Sequence, residues 1–199
     1  MKSFSIEQIK LMDRFTRTHF INTLSGFKSV SLIGTINNLG QTNLAIFSNL
    51  VHIGADPALI GFVNRPMEAA PHTLANIQET QFYSVNHIHS GIFEQAHQTS
   101  AKYPEHISEF EAVGLTPLFR PGISAPFVGE SQIQYVLKLE EVIPIKLNGT
   151  FLVVGSLQQA FIPDEDGYLS IEKANSLCSL GINGYYETKF LDKLPYAKA

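Results

Sequence analysis

The chain has 199 residues, of which 44% are hydrophobic and 16% are charged, and its formal net charge is −4. This balance predicts a folded domain with a large core and argues against intrinsic disorder. It also argues against general affinity for nucleic acid. A protein that binds the phosphate backbone needs clustered lysine and arginine, and no such run occurs here.

The same composition bears on the compartment. Cys178 is the single cysteine, so neither an intramolecular disulfide nor a cysteine zinc site is expected. The N-terminal segment 1–15 lacks the apolar run of a signal peptide, and no stretch approaches the ~18 apolar residues of a membrane span. We therefore expect a soluble cytoplasmic protein that does not bind membranes.

The N-terminal segment 4–18 predicts a short amphipathic helix. Its apolar residues recur at helical spacing and are Ile6, Ile9, Met12 and Phe15. We expect this helix to pack on the domain as an N-terminal extension, residues 1–19, with a connector over 19–25. No repeat or linker divides the chain, so 1–199 is predicted to be one domain.

The central part of the chain predicts a β-hairpin, a third strand and a helix. The hairpin strands are Val30–Ile36 and Thr42–Phe47, because the Asn and Gly residues between them tolerate positive φ. Asp56-Pro57 is predicted to interrupt regular secondary structure before a short apolar strand, Leu59–Val63. A helix is then predicted to start with Thr73 as its N-cap.

Three features of this central part favour an anion site. Ser48 and Asn49 follow the hairpin, Arg65 closes the third strand, and the helix N-terminus near Thr73 comes just after. Helix N-termini favour anions, so the combination is typical of a phosphate seat built without a glycine-rich loop. The alternative is that Arg65 is a solvated surface residue and that Ser48 and Asn49 are ordinary turn residues.

The rest of the chain alternates strands with short helices. The predicted strands and turn are 81–86, 125–131, 133–140, Asn148-Gly149 and 150–162, with Gly155 as a bulge. The predicted helices are 91–101 capped by Ser90, 105–113 ended by Gly114, and 170–180 ended by Gly181. Composition and pattern therefore predict a mostly β domain with several helices.

Several short phrases resemble the flavin reductase-like family of FMN-binding split barrels. They are Gly40-x-x-Asn43-x-Ala45-x-Phe47-Ser48, Asp56-Pro57, Arg65 and Thr73-x-x-Asn76-Ile77, in that order. The resemblance covers residues 20–190. It implies a Greek-key-like split barrel with helical excursions and a C-terminal helix, and FMN bound near a homodimer interface.

The resemblance also implies an FMN-dependent oxidoreductase of the flavin reductase type. NAD(P)H would be a transient electron donor, and a small molecule would accept the electrons. The residues implied to contact FMN are Thr35, Asn43, Leu44 and Ala45 at the ring, and Ser48, Asn49, Arg65, His72 and Thr73 at the phosphate. Because the cofactor carries the chemistry, no side chain is predicted to be a catalytic acid or base.

Two other functions stay open at this point. The chain could be a flavin-binding or electron-carrier protein that is not itself a reductase, or a barrel that has lost its flavin, because all three share the fold and the phosphate seat. His87 and His89 share a strand face. However, a metal site needs three or four converging ligands, so no metal is predicted. His72 stands where the family often has an acid, and no pattern is assigned to the loop 67–71.

Overall fold

The computed structural model describes residues 1–104, 106–163 and 173–198. The helices within these residues are α1 (Ile6–Leu11), α2 (Arg14–Leu24), α3 (Pro71–Thr80), α4 (Phe93–Gln98) and α5 (Glu109–Val113), and none of them is long and apolar enough to cross a membrane. The strands are β1 (Lys28–Ser29), β2 (Ser31–Ile36), β3 (Thr42–Phe47), β4 (Val51–Ala55), β5 (Ala58–Asn64), β6 (Phe82–His87), β7 (Pro117–Arg120), β8 (Ile123–Val128), β9 (Gln134–Ile145), β10 (Thr150–Phe161), β11 (Cys178–Leu180) and β12 (Gly184–Tyr186). The predicted mostly β fold is therefore confirmed.

A seven-stranded antiparallel sheet forms the body of the fold, in the order β3-β2-β6-β9-β10-β5-β4. The pairs β2–β3, β4–β5 and β9–β10 are hairpins, whereas β2–β6 and β5–β10 join segments that are distant in sequence. Two smaller sheets, β1-β11-β12 and β7-β8, complete the fold. Because β3 is an edge strand, no strand of the described residues covers its outward polar groups.

The sheet closes against β8 where Gly34 of β2 meets the backbone of Pro126. A side-chain Cβ at Gly34 would collide with the Pro126 carbonyl oxygen. The Ser84 hydroxyl of β6 donates a hydrogen bond to the same carbonyl. This position therefore requires glycine, since only a residue without a side chain lets the two backbones approach so closely.

Two apolar cores lie on opposite faces of β2. Successive side chains of a strand point to opposite faces, so Leu32 enters one core and Ile33 the other. The Ile33 core also contains Phe62, Tyr83 and apolar residues of α3. The Leu32 core contains residues of α4 and α5, including Phe110. Both faces of β2 are consequently buried.

Several predicted turns and boundaries are confirmed. β3 spans Thr42–Phe47 as predicted, and the turn residues Gly40 and Gly149 have φ values of 82° and 74°. Gly114 ends α5 with φ 72°, and the register of β10 shifts at Gly155, where a bulge is predicted. These features depend on residues that are close in sequence, which is why the sequence predicts them.

The single helix predicted over 4–18 is in fact two helices, and most of the connector predicted over 19–25 is helical. α1 ends at Leu11, and the carboxylate of Asp13 then caps α2 by accepting two N–H groups of its first turn. An aspartate in this position favours a new helix start, which apolar periodicity alone does not register. Neither helix has a buried residue, so their contact with the domain is limited to partly exposed side chains.

Two predicted helix caps are wrong. α3 begins at Pro71 after Ala70 and has no side-chain cap, so Thr73 lies at its third position. Proline is favoured at the first helical position because its φ is already helical and no partner is needed there for an N–H. Ser90 does not cap α4, because a turn separates it from Phe93, the first residue of that helix.

The C-terminal helix predicted over 170–180 does not extend over 174–180. Residues 170–172 lie outside the described residues, and Cys178–Leu180 forms β11 instead. β11 pairs with both β1 and β12, and β1 lies far away in sequence. Four further strands, β1, β4, β7 and β12, have no counterpart in the prediction. Long-range pairing, rather than local propensity, decides these segments.

Candidate functional site

A cleft with a volume of about 400 Å³ lies between β3, the end of β5, the start of α3 and the segment 99–103. This volume lies in the range of small-molecule and cofactor sites. The predicted site residues that line it are Asn43, Ala45, Ser48, Asn49, Arg65, His72 and Thr73. The fold thus brings together groups from three separate parts of the chain.

β3 forms one wall of the cleft as an edge strand, and one of its outward N–H groups already has a hydrogen-bond partner. The backbone N–H of Leu44 donates to Oε2 of Glu109 at 3.0 Å, so it points away from β2. Backbone directions alternate along an antiparallel strand, so the N–H groups of Asn43 and Ala45 point toward β2. The next outward N–H is that of Ile46, which also lines the cleft. The structure therefore adds Ile46 to the groups that can contact a ligand ring.

A hydrogen-bond network fixes the side chain of Asn43. Its Nδ2 donates to Oγ1 of Thr35 at 3.3 Å and to Oγ1 of Thr73 at 3.2 Å, and Nδ2 of Asn76 also donates to the Thr35 hydroxyl at 3.2 Å. Thr35 is fully buried and lies behind the cleft wall rather than in it. It therefore positions Asn43, whose Oδ1 has no hydrogen-bond partner among the described residues.

Asn49 joins the end of β3 to β5. Its Nδ2 donates to the carbonyl oxygen of Val63 at 2.8 Å, and its Oδ1 accepts the Val63 N–H at 3.1 Å. The side chain thus makes the pair of backbone hydrogen bonds that a neighbouring strand would make with Val63. This bridge brings Ser48 next to the end of β5, where Arg65 begins the following loop.

Arg65 and the start of α3 form the cationic part of the cleft. Arg65 is exposed, and within the described residues its guanidinium forms neither a hydrogen bond nor an ion pair. α3 has ten residues and no side-chain cap, so the N–H groups of its first turn need partners. An arginine and an uncapped helix N-terminus that line the same cleft favour an anionic ligand group.

The loop 67–71, which the sequence does not assign, forms one side of the cleft. Glu68, Ala69 and Ala70 line it. The buried side chain of Asn64 ties the two ends of the loop together, because its Nδ2 donates to the carbonyl oxygens of Arg65 at 2.8 Å and Ala70 at 3.4 Å. This arrangement fixes the backbone that leads from Arg65 to the start of α3.

Sequence reasoning misses six lining residues that come from beyond α4. These are Thr99, Ser100, Ala101, Lys102, Tyr103 and Glu109. Glu109 is the buried carboxylate among them, at 8% exposure. Burial raises the pKa of its carboxyl group, while the Leu44 N–H and the charge of His72 act in the opposite direction. No local pattern marks these residues, because only the chain reversal after β6 brings them to the cleft.

The two histidines that share a predicted strand face have separate partners. Nδ1 of His87 lies 2.8 Å from Oγ of Ser176, and burial lowers the pKa of the ring. Nε2 of His89 lies 3.0 Å from the carbonyl oxygen of Glu130. Neither histidine lines the cleft.

A family model for the flavin reductase like domain matches residues 27–174. This match spans most of the chain and includes every cleft element from β3 to α5. The chain is also similar to a split-barrel protein from Shewanella frigidimarina NCIMB 400 that is assigned as a flavin reductase. The two chains are 43% identical, with a TM-score of 0.94 over 99% of this chain and 100% of the other. This likeness confirms the predicted split barrel.

Two more distant proteins are also similar to this chain. An FMN-binding protein from Thermus thermophilus shares the fold, with 16% identity and a TM-score of 0.75 over 98% of this chain and 100% of that one. An uncharacterized protein from Aquifex aeolicus is 28% identical over 120 residues, which are 59% of this chain and 61% of that protein. The chain thus matches less than two thirds of the length of the Aquifex protein.

Proposed function

The chain belongs to the flavin reductase-like domain family, and on this basis we propose that it binds FMN in the cleft and acts as an NAD(P)H-dependent flavin reductase. One observation carries the proposal. Arg65 and the uncapped start of α3 line the same cleft as the outward edge of β3, which offers polar groups to a planar ring. The likeness to the FMN-binding protein from Thermus thermophilus supports the choice of flavin.

The residues of the cleft fit FMN. A phosphate needs donors and positive charge, which Arg65, Ser48 and the first turn of α3 supply. A flavin ring needs hydrogen-bond groups at its edge, which Asn43 and the outward N–H of Ile46 can provide. The volume of about 400 Å³ suits a ligand of this size.

When bound, FMN would supply the capacity to accept a hydride from a reduced nicotinamide and to pass electrons on to a small-molecule acceptor. The chain's own residues would bind the phosphate, orient the ring and limit the access of water. Asn43 is held by Thr35 and Thr73 before any ligand arrives, so the ring-binding wall is preorganised. A nicotinamide would bind transiently, since the sequence contains no Gly-x-Gly-x-x-Gly motif.

We expect the purified protein to carry FMN or to take it up at micromolar concentration, and to oxidise NADH or NADPH when FMN is present. Denaturation followed by chromatography identifies any released flavin, and steady-state assays with and without added FMN measure turnover. A protein that binds no FMN would contradict the proposal. Tight FMN binding without oxidation of either nicotinamide would instead support a flavin-binding electron carrier.

We also propose that the chain forms a homodimer. Its N-terminal helices and its C-terminal segment expose large apolar side chains, among them Leu11 at 85%, Phe15 at 80%, Phe190 at 71% and Leu191 at 89%. Exposed apolar surface of this kind is typical of protein interfaces. Light scattering should therefore give twice the 22.0 kDa mass of one chain. A single-chain mass across a concentration series would be the contrary result.

A further inference from the structure

Glu109 is a buried carboxylate in the wall of the cleft. Its side chain is 8% exposed, and Oε2 accepts the backbone N–H of Leu44 at 3.0 Å. No lysine or arginine of the described chain forms an ion pair with it, and His72 is the group whose charge acts on it across the cleft. A charged group that is buried without a close cation costs free energy, so its position in a ligand site calls for a functional explanation.

A second, much smaller pocket of about 20 Å³ adjoins the cleft, and Glu109, Asn43 and His72 line both. This volume is enough for a single water molecule. Glu109 therefore lies where the cleft meets the small pocket, together with Asn43 and His72. Arg65 lines the cleft but not the small pocket.

The charges of the cleft indicate which part of a flavin would face Glu109. A phosphate dianion is attracted to Arg65 and repelled by a carboxylate, so it is expected at the Arg65 end. The ring of the same ligand is then left for the β3 wall, where Glu109 accepts the Leu44 N–H. This step rests on the proposed function, namely that the cleft binds FMN.

We propose that Glu109 lowers the reduction potential of the bound flavin. Its buried carboxylate disfavours the negatively charged reduced ring relative to the neutral oxidised ring. Charge placed near the ring is one of the ways in which a protein tunes flavin electronics. Glu109 is thus a positioning and tuning residue rather than a catalytic acid. Since it also holds the edge of β3 through Leu44, the charge is fixed close to the wall that receives the ring.

The test compares the affinities of oxidised and reduced FMN for the wild type and for Glu109→Gln. Glutamine keeps an oxygen that can accept the Leu44 N–H, so the variant removes the charge while preserving the contact. Titrations are carried out anaerobically at mildly alkaline pH, where reduced FMN carries a negative ring charge. Glu111→Gln is the matched control, because Glu111 is exposed on the same helix and loses the same charge.

Glu109→Gln should tighten reduced FMN about tenfold and change oxidised FMN by less than about threefold, while Glu111→Gln changes neither. A tenfold increase in the affinity for reduced FMN relative to oxidised FMN corresponds to a rise of about 30 mV in the two-electron reduction potential of the bound flavin. The wild type gives a second test that does not depend on the folding of a variant. It should bind reduced FMN more weakly than oxidised FMN.

Three results would overturn the inference and leave the proposed function standing. If Glu109→Gln binds FMN with an unchanged ratio of the two affinities, the proposed function stands but Glu109 does not tune the ring. If Glu109→Gln tightens oxidised FMN strongly and spares riboflavin, Glu109 faces the phosphate instead. If the wild type binds reduced FMN more tightly than oxidised FMN, the carboxylate does not set the preference. A wild type that binds no flavin in either state would overturn both proposals.

Discussion

Replacing Arg65 with alanine should weaken FMN ten- to a hundredfold and leave the affinity for riboflavin nearly unchanged. The two ligands differ only in the phosphate, and the guanidinium of Arg65 makes no ion pair among the described residues that it would have to give up. A charge-assisted hydrogen bond of this kind is worth about 1.5–3 kcal/mol, which corresponds to that range of affinity. Fluorescence titration with each flavin measures both constants.

Two variants serve as controls for Arg65→Ala. Arg14→Ala removes the same charge from an exposed position on α2 and should leave both affinities unchanged. Arg65→Lys keeps the charge but loses the planar fork, so FMN affinity should fall between those of the wild type and Arg65→Ala. Equal losses for FMN and riboflavin in Arg65→Ala would mean that Arg65 supports the ring or the fold instead of the phosphate.

Replacing Phe62 with alanine should lower the free energy of unfolding by about 3–5 kcal/mol, the cost typical of removing a buried phenyl ring. Phe62 is 1% exposed, and its ring lies 4.8 Å from that of Phe47 and 5.7 Å from that of Tyr83, in edge-on contacts. β5 runs from this core directly to Asn64 and Arg65. A cavity at Phe62 would therefore also loosen the support of the cleft.

Urea unfolding measures this effect, as a lower midpoint with an unchanged slope. Phe119→Ala is the matched control, because the Phe119 ring is 51% exposed and its removal should cost less than about 1 kcal/mol. A loss below about 1 kcal/mol in Phe62→Ala would show that the site collapses around the smaller side chain and that the core is not closely packed there.

Much of the candidate site could be predicted because its parts lie within short stretches of sequence. The turn at Gly40 and the strand Thr42–Phe47 follow from local conformational preferences, and the position of Arg65 at a strand end follows from the apolar run before it. The prediction of Thr73 as the N-cap of α3 is wrong for an equally local reason. Pro71 is also a helix start signal, and it occupies the first position of the helix.

Other parts of the site depend on contacts that no local pattern contains. Glu109 reaches the Leu44 N–H across 65 residues, because β3 is an edge strand and α5 packs beside it. The pairing of β3 with β2 decides that Ile46, rather than Ala45, turns its N–H outward. Thr35 is predicted to contact the ligand ring but lies behind the cleft wall. The side chains of Asn43 and Asn76 both donate hydrogen bonds to its hydroxyl there.

The sequence by itself determined the strands of the first hairpin, the turns at Gly40 and Gly149, and the position of Arg65 at the end of a strand. The tertiary structure alone decided which strand lies at the sheet edge, that Cys178–Leu180 pairs as a strand with Lys28–Ser29, and that a buried carboxylate meets the cleft. The physical reason is range. Dihedral preferences act over a few residues, whereas pairing and burial are settled by the free energy of the whole fold.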